Sequence, residues 1–313
     1  PQPRPATRRT GAALHCQDRS RARSSHAPCP WPTPRLAHRL ALLMLLSTLA
    51  ACSAPRPAPP PVVLLLGEVH DNAAGHALRL RALTQQLAAG ARPALLMEQF
   101  DRDLQPQIDQ AMQQAAGTPP SDAAVAAAED ALVKLGSPAS GPAGWDWALY
   151  RPVLRLALQY RLPIIAANVS RADARQVMQQ GLAATGFNPR VPADIRSAHA
   201  ADIEASHCGQ INPAQAARMA LAQVARDQAM AQQVDRYAER GVVLLAGNGH
   251  VRSDIGVPRW LSDNTRQRAR TIAYLEPGNP SLASAYDETV PVPAQTRDDP
   301  CSAMTAPQPR PPL

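Results

Sequence analysis

The chain has 313 residues, enough for one large domain or two small ones, and carries 32 Lys+Arg against 25 Asp+Glu, a formal charge of +7. All of that excess lies in the leader: residues 1–51 hold eight arginines and one acid, Asp18, so from Cys52 onward 24 basic residues meet 24 acidic ones. The globular part thus lacks the basic excess of a nucleic-acid binder, and no nucleic-acid partner is expected.

Residues 1–34 are rich in Arg, Pro, Ser and Ala, show no apolar periodicity and have no means of building a core. The sequence begins at proline, and a natural start further along, ahead of the signal, is expected. Arg35 to Arg39 then precede the apolar run Leu40–Leu46, a charged segment and a short hydrophobic one, which reads as a secretory signal too short to span a bilayer. It closes on Leu49-Ala50-Ala51-Cys52, which resembles a bacterial lipobox. Lipidation of Cys52 would anchor the chain to a membrane, and Ser53 fits the outer membrane. The plainer alternative is an ordinary export signal with an incidental cysteine. Residues 52–61 form a stiff Pro-rich tether.

From 62 to 276 the pattern is that of an α/β domain. Val62–Leu66 is a short apolar run closed by Gly67-Glu68-Val69-His70, as expected of a strand buried on both faces of a parallel sheet. The plan recurs: Pro93–Met97 ends in Glu98, Leu162–Ala167 in Asn168, and Val242–Ala246 in Gly247-Asn248-Gly249-His250. A last strand is expected over Thr271–Leu275. Helices are expected over 73–89, around Leu104, Ile108 and Met112, after Ser121, to about Tyr160, after Ser170, over 192–206, and over 213–240 between Pro213 and Gly241. Three helices between residues 101 and 160 exceed a simple crossover and predict a helical lobe inserted over the sheet. Residues 277–313 are expected to form a loose tail. The fold class is therefore α/β, a mostly parallel sheet flanked by helices with an inserted lobe.

In such sheets ligands bind in the crevice beyond the carboxyl ends of the strands, so Glu68, His70, Glu98, Asn168 and His250 are expected at one cleft. There is no G-x-S-x-G elbow, Walker loop, H-E-x-x-H, C-x-x-C or G-x-G-x-x-G, which weighs against serine hydrolases, nucleotide enzymes and dinucleotide oxidoreductases. Instead G-x-x-H occurs twice, after two buried strands. Glycine there permits a sharp turn and close backbone approach. Imidazole with carboxylate suits a metal ion, a proton transfer or an anionic ligand. The plainer alternative for His70 and His250 is a structural bond at the sheet edge. His76 and His199 read as surface or packing residues. Glu98, at the end of a buried strand, needs a partner, and Arg102, Arg171 or Arg252 would serve as well as a metal. Beyond Cys52 the cysteines are Cys208 and Cys301, and an oxidising compartment suggests a disulfide between them. Beside His207, Cys208 could instead be a soft metal ligand or a reactive thiol.

The block Leu64–Asn72, the pair Met97-Glu98, the strand Ile165–Asn168, Ser206-His207-Cys208-Gly209 and Val243–Arg252 together resemble the ChaN-like haem-binding lipoproteins of the Tiki and erythromycin-esterase-like superfamily. The resemblance covers about residues 60–276. It implies an outer-membrane lipoprotein acting in haem or iron uptake, with uptake machinery as a partner. It also implies, from the wider superfamily, a divalent-metal hydrolytic site at His70, Glu98 and His250, with Glu68 and Glu98 as catalytic carboxylates. For haem, Tyr150 in the Trp145-Asp146-Trp147 cluster is the expected axial ligand, with His70, His207, His250 and Asn168 as further contacts. The same cluster could equally be the core of the lobe. An aromatic content of only 4% counts against a deep haem pocket in one protomer, an objection that a homodimer sharing its haem would remove. A third reading is an envelope scaffold without a working cleft.

Overall fold

A computed structural model of the chain describes residues 62–116, 120–137, 144–278, 280–299 and 301–302. The expected signal, the Cys52 lipidation site and the tether lie outside the described residues. Six strands, β1 (Val63–Leu66), β2 (Ala94–Asp101), β3 (Ile164–Asn168), β4 (Val242–Leu245), β5 (Ala269–Leu275) and β6 (Glu288–Pro291), form one sheet in the order β3-β2-β4-β1-β5-β6. Every pairing is parallel. The helices are α1 (Ala73–Ala88), α2 (Gln105–Gln114), α3 (Asp122–Gly136), α4 (Trp147–Gln159), α5 (Arg171–Gln180), α6 (Ala193–Ser206), α7 (Pro213–Tyr237) and α8 (Asp263–Arg268). None among the described residues is long and apolar enough to cross a membrane.

The strands are apolar throughout because both sheet faces are covered. Alternate side chains point to opposite sides. Leu95, Met97, Ile164, Ala166, Val243 and Leu245 join a core with α1 and the lobe helices α2, α3 and α4. Val63, Leu65, Leu96, Ile165, Val242 and Leu244 join a second core with Met230, Ala231 and Val234 of α7. The lobe is tied together by Glu129 of α3, fully buried, which accepts from Arg151 (2.8 Å) and Arg155 (2.7 Å) around α4. Several helix starts are capped by side chains, Ser121 and Ser170 as expected and Asn212 in addition. Ser121 accepts from Ala124 N–H, Ser170 from Asp173 N–H and Asn212 from Gln215 N–H.

Strand β3 lies at one edge of the sheet. The Gln105 carboxamide accepts from Ala166 N–H (2.7 Å) and donates to the Ile164 carbonyl (3.0 Å), pairing with the exposed ladder as a neighbouring strand would. Gln105→Leu removes both bonds and is expected to cost about 1–3 kcal/mol in denaturant unfolding. A cost near zero would mean that water replaces the amide without penalty.

The tail is not loose as far as Cys301: β6 pairs with β5, and the segment beyond it is fastened at several points. Asn72 donates to the Pro293 carbonyl (2.7 Å), and Arg297 forms ion pairs with Asp71 and Glu276. Cys301 is joined to Cys208 by a disulfide with a Cα–Cα separation of 5.6 Å. The four-residue β6 carries no long apolar run, because as an edge strand it is held by backbone bonds and only half-buries alternate side chains. That is why the tail looked unstructured by composition.

Candidate functional site

Strands β3, β2, β4 and β1 are neighbours in that order, so their carboxyl ends open on one crevice. A cleft of about 960 Å³ lies there, lined by His70, Glu98, Trp145, Asn168, Arg226 and His250 among others. Apolar wall is supplied by Leu104, Leu135 and Val169, and a further cation by Arg171.

The two glycines at the strand ends serve close approach. A Cβ on Gly67 would overlap the Asn248 side chain, and one on Gly247 would stand 3.1 Å from the His70 ring. Neither has a positive φ, so the sharp-turn reason expected from sequence does not apply. Asn248, held against Gly67, brackets Tyr274 of β5 through its own amide, donating to the carbonyl (2.8 Å) and accepting from the N–H (3.2 Å).

Glu68 is buried and is the hub of one network. It accepts from His70 Nδ1 (2.6 Å), the Tyr150 hydroxyl (2.5 Å) and Gln99 Nε2 (3.2 Å), and it forms an ion pair with the buried Arg79. His76 Nε2 lies 2.9 Å from the His70 carbonyl, while its Nδ1 faces Arg79 Nη2 at 2.7 Å. His76 therefore donates to the one and accepts from the other. Burial raises the Glu68 carboxyl, but Arg79, His70 and Tyr150 outweigh it and hold Glu68 below its ordinary value. Burial likewise lowers His70, and the bond to Glu68 with the charges of Glu98 and Glu68 brings it above the ordinary value. With Nδ1 turned to Glu68, the other ring nitrogen of His70 has no hydrogen-bond partner among the described residues. The side chain is 51% exposed and lines the cleft.

Glu98 and His250 form a second network. Glu98 accepts from Gly247 N–H (2.7 Å) and pairs with His250 Nε2 (3.4 Å). His250 Nδ1 donates to Asp227 of α7 (2.6 Å), whose other oxygen lies 3.3 Å from His199 Nε2. Burial opposes charge on both members. Even so, Glu98 is held well below the usual carboxylate range and His250 well above the usual imidazole value, each by the other's charge. The buried carboxylate has its partner here and not in an arginine: Arg102 pairs with Asp173, and Arg252 with Asp202 and Asp254.

Several expectations change on this geometry. His70, Glu98, Asn168 and His250 do share the cleft, but they do not form an open metal triad. Both nitrogens of His250 face carboxylates, and among the described residues no group of three or more His, Cys, Asp or Glu is arranged to hold a metal ion. Tyr150 has no exposed surface; its hydroxyl points inward to Glu68 and is kept protonated by burial and by that carboxylate. It is not presented to the cleft as an axial ligand. Trp147 is buried with it, so the aromatic cluster is largely lobe core, and Trp145 alone of the three lines the cleft. Asn168 is occupied in positioning, donating to the Glu98 carbonyl (2.9 Å) and accepting from Arg226 (2.7 Å). His207 ends α6 with Nδ1 2.8 Å from the Ile203 carbonyl and does not line the cleft. Cys208 beside it is in the disulfide and is neither a free thiol nor a metal ligand.

Sequence reasoning missed Arg79, Gln99 and Asp227, and read His76 and His199 as surface or packing residues. A signal was there. His76 and Arg79 share the buried face of α1 with Leu83, and Asp227 lies on the same stripe of α7 as Val224, Ala231 and Val234. A charged residue on an apolar helical stripe needs a buried partner.

No curated protein matches the chain. Among solved structures, ChaN of Campylobacter jejuni, described with cofacial haem binding, is similar with a TM-score of 0.56 and 18% identity, over 76% of this chain and 86% of that one. The type III effector HopBA1 (TM-score 0.40, 11% identity, 75% and 88% covered) and the erythromycin esterase EreC in its open conformation (0.40, 14%, 70% and 71%) are more distant. The model of the family described as haem-binding uptake, Tiki superfamily, ChaN matches residues 60–261, and the chain belongs to that family.

Proposed function

We propose that the protein is an envelope lipoprotein, held to the outer membrane through lipid on Cys52, that binds haem in the strand-end cleft and hands it to iron-uptake machinery. The observation that carries this reading is the half-exposed His70 ring in the cleft, its Nδ1 held from behind by Glu68 and its Nε2 without a hydrogen-bond partner among the described residues. A carboxylate-backed imidazole with its second nitrogen free is the arrangement proteins use to present a histidine to a metal. The rest of the cleft fits haem. Leu104, Leu135, Val169 and Trp145 supply apolar wall, and Arg171 and Arg226 supply cations for its carboxylates. The haem iron is where any redox or ligand chemistry would reside; the chain's part is to hold and orient it. A second copy of the chain covering the cleft is part of the proposal. Haem stands ahead of hydrolysis because Glu98 and His250 are committed to each other, which leaves neither as a free base for water.

Haem titration of the full chain, followed by absorbance, tests the reading. A saturable Soret shift is expected, weakened at least tenfold in affinity or changed in form by His70→Ala, and retained by Tyr150→Phe. No saturable shift would exclude the haem carrier.

A further inference from the structure

A half-buried cation in the cleft has no counterion among the described residues. Other arginines near the strand ends are paired: Arg79 with Glu68, Arg102 with Asp173, and Arg252 with Asp202 and Asp254. Arg226 of α7 is half-buried and lines the cleft, but its partners are neutral. Its Nη1 donates to the Asn168 side-chain oxygen (2.7 Å) and to the Val169 carbonyl (3.3 Å). Asp101 lines the same cleft and feels the Arg226 charge, yet makes no ion pair with it, and burial holds its carboxyl above the ordinary value in spite of that charge. Asn168 is itself fixed. Its amide donates to the Glu98 carbonyl (2.9 Å), and the oxygen that receives Arg226 also accepts from Val169 N–H (2.9 Å). The end of β3 therefore holds one nitrogen of the guanidinium and leaves Nε and Nη2 without a hydrogen-bond partner among the described residues. A guanidinium carries five donors in a fixed fork, and withdrawing a cation from water without an anion costs free energy. A carboxylate that completes the fork offsets that cost.

We infer that Arg226, set in place by Asn168, makes the cleft selective for a ligand with a free carboxylate, which it takes as its missing counterion. The inference rests on the reading that haem binds in this cleft, and it holds whichever residue meets the iron. Arg171 lines the same cleft, but it is exposed and no hydrogen bond among the described residues fixes it. It adds positive potential that draws anions in without choosing among them. Arg226 chooses because its guanidinium is held by two acceptors on β3 and the residue after it. A carboxylate offers that fork two charged oxygens. A methyl ester keeps a carbonyl acceptor, loses the charge and sets a methyl group against the guanidinium. The wrong ligand then costs more than one hydrogen bond, because it covers Arg226 and leaves the cation unpaired.

The test is the affinity of the full chain for haem against haem dimethyl ester, both followed by absorbance in one detergent-containing buffer. The proteins are the unaltered chain, Arg226→Met, Arg226→Lys, Asn168→Ala and Arg171→Met. The readout is the ratio of the two affinities, because a variant that merely loosens the fold weakens both ligands alike. The unaltered protein is expected to prefer haem by at least about tenfold. Arg226→Met is expected to bring the ratio close to one by weakening haem and not the ester. Arg226→Lys keeps the charge without the fork and is expected to retain only part of the preference. Asn168→Ala leaves Arg226 held by the Val169 carbonyl alone and is expected to give an intermediate ratio. Arg171→Met is expected to change the ratio less than about threefold. Equal affinity for haem and its ester in the unaltered protein overturns the inference and leaves haem binding standing, whether or not any variant folds. A preference that survives in folded Arg226→Met overturns it too, as does one lost in Arg171→Met instead. If Arg226→Met does not fold, a full preference kept by Arg226→Lys overturns it. An unchanged ratio in Asn168→Ala overturns the positioning role of the asparagine. No saturable Soret shift with either ligand removes the haem reading itself, and the inference with it.

Discussion

Glu68→Gln is expected to destabilise the fold by roughly 3–5 kcal/mol, the range found when one member of a buried ion pair is removed and the other stays charged. Arg79 is 2% exposed, and its partners among the described residues are its counterion Glu68 and the neutral His76 ring. An amide in place of the carboxylate leaves that guanidinium buried without a negative charge. It also turns one acceptor oxygen into a donor that faces Tyr150, His70 and Gln99, or Arg79. Domain stabilities are about 5–15 kcal/mol in total, so this one atom exchange consumes a large share. Equilibrium urea unfolding at pH 6 measures the loss. The double variant Glu68→Gln/Arg79→Met separates the charge from the packing: it is expected to be more stable than the single variant, because no uncompensated charge remains. A single-variant cost under about 1 kcal/mol would show that Arg79 finds water or another acceptor, and that Glu68 is not the hub of this site.

The part of this site that was legible in the sequence is the part carried by the strands. Short apolar runs ending in Gly67-Glu68-Val69-His70 and Gly247-Asn248-Gly249-His250 can be read as buried strands delivering polar groups to a sheet edge. The structure sets β3, β2, β4 and β1 side by side, and this adjacency is what gathers His70, Glu98, Asn168 and His250. What the helices contribute was not read. Arg79, His76 and Asp227 lie on amphipathic helices whose apolar stripes were taken as packing alone, and Arg79 and Asp227 find their partners, Glu68 and His250, on other elements. Tyr150 meets Glu68 across 82 residues, and His250 meets Asp227 from the next strand. No local pattern encodes such pairs. The direction of the aromatic cluster was equally hidden: Trp145, Trp147 and Tyr150 are five positions apart at most, but one opens on the cleft and two face inward. The tail was misjudged for a different reason. Its order comes from the β5 ladder, the Arg297 ion pairs and the Cys208–Cys301 link, and a Pro-rich composition says nothing about any of these.

The pair Glu98–His250 makes a pH-dependent contribution to stability whose sign follows from its two shifts. His250 is raised from an ordinary 6.5 to about 10, against the pull of burial, by Glu98 and Asp227. A raised folded-state value gives stability that is complete below about pH 6.5 and is lost as pH rises through about 10. Glu98 is lowered from 4.5 to about 2, again against burial, chiefly by His250 and with help from His70 and Gly247 N–H. Its contribution is complete above about pH 4.5 and is lost as pH falls through about 2. The pair is therefore fully effective between about pH 4.5 and 6.5, and unfolding free energy is expected to fall on the order of 3 kcal/mol between pH 7 and 10 from His250 alone. His250→Gln is expected to be less stable at pH 6, because Glu98 and Asp227 lose the cation between them, and to show a much flatter alkaline limb. The two curves should converge as pH approaches 10, where the native imidazole gives up its proton. Urea unfolding at intervals across that range decides it: curves that stay parallel from pH 6 to 10 would mean that His250 is neutral in the fold, and that the Glu98–His250–Asp227 chain is a set of neutral hydrogen bonds and not an ion pair.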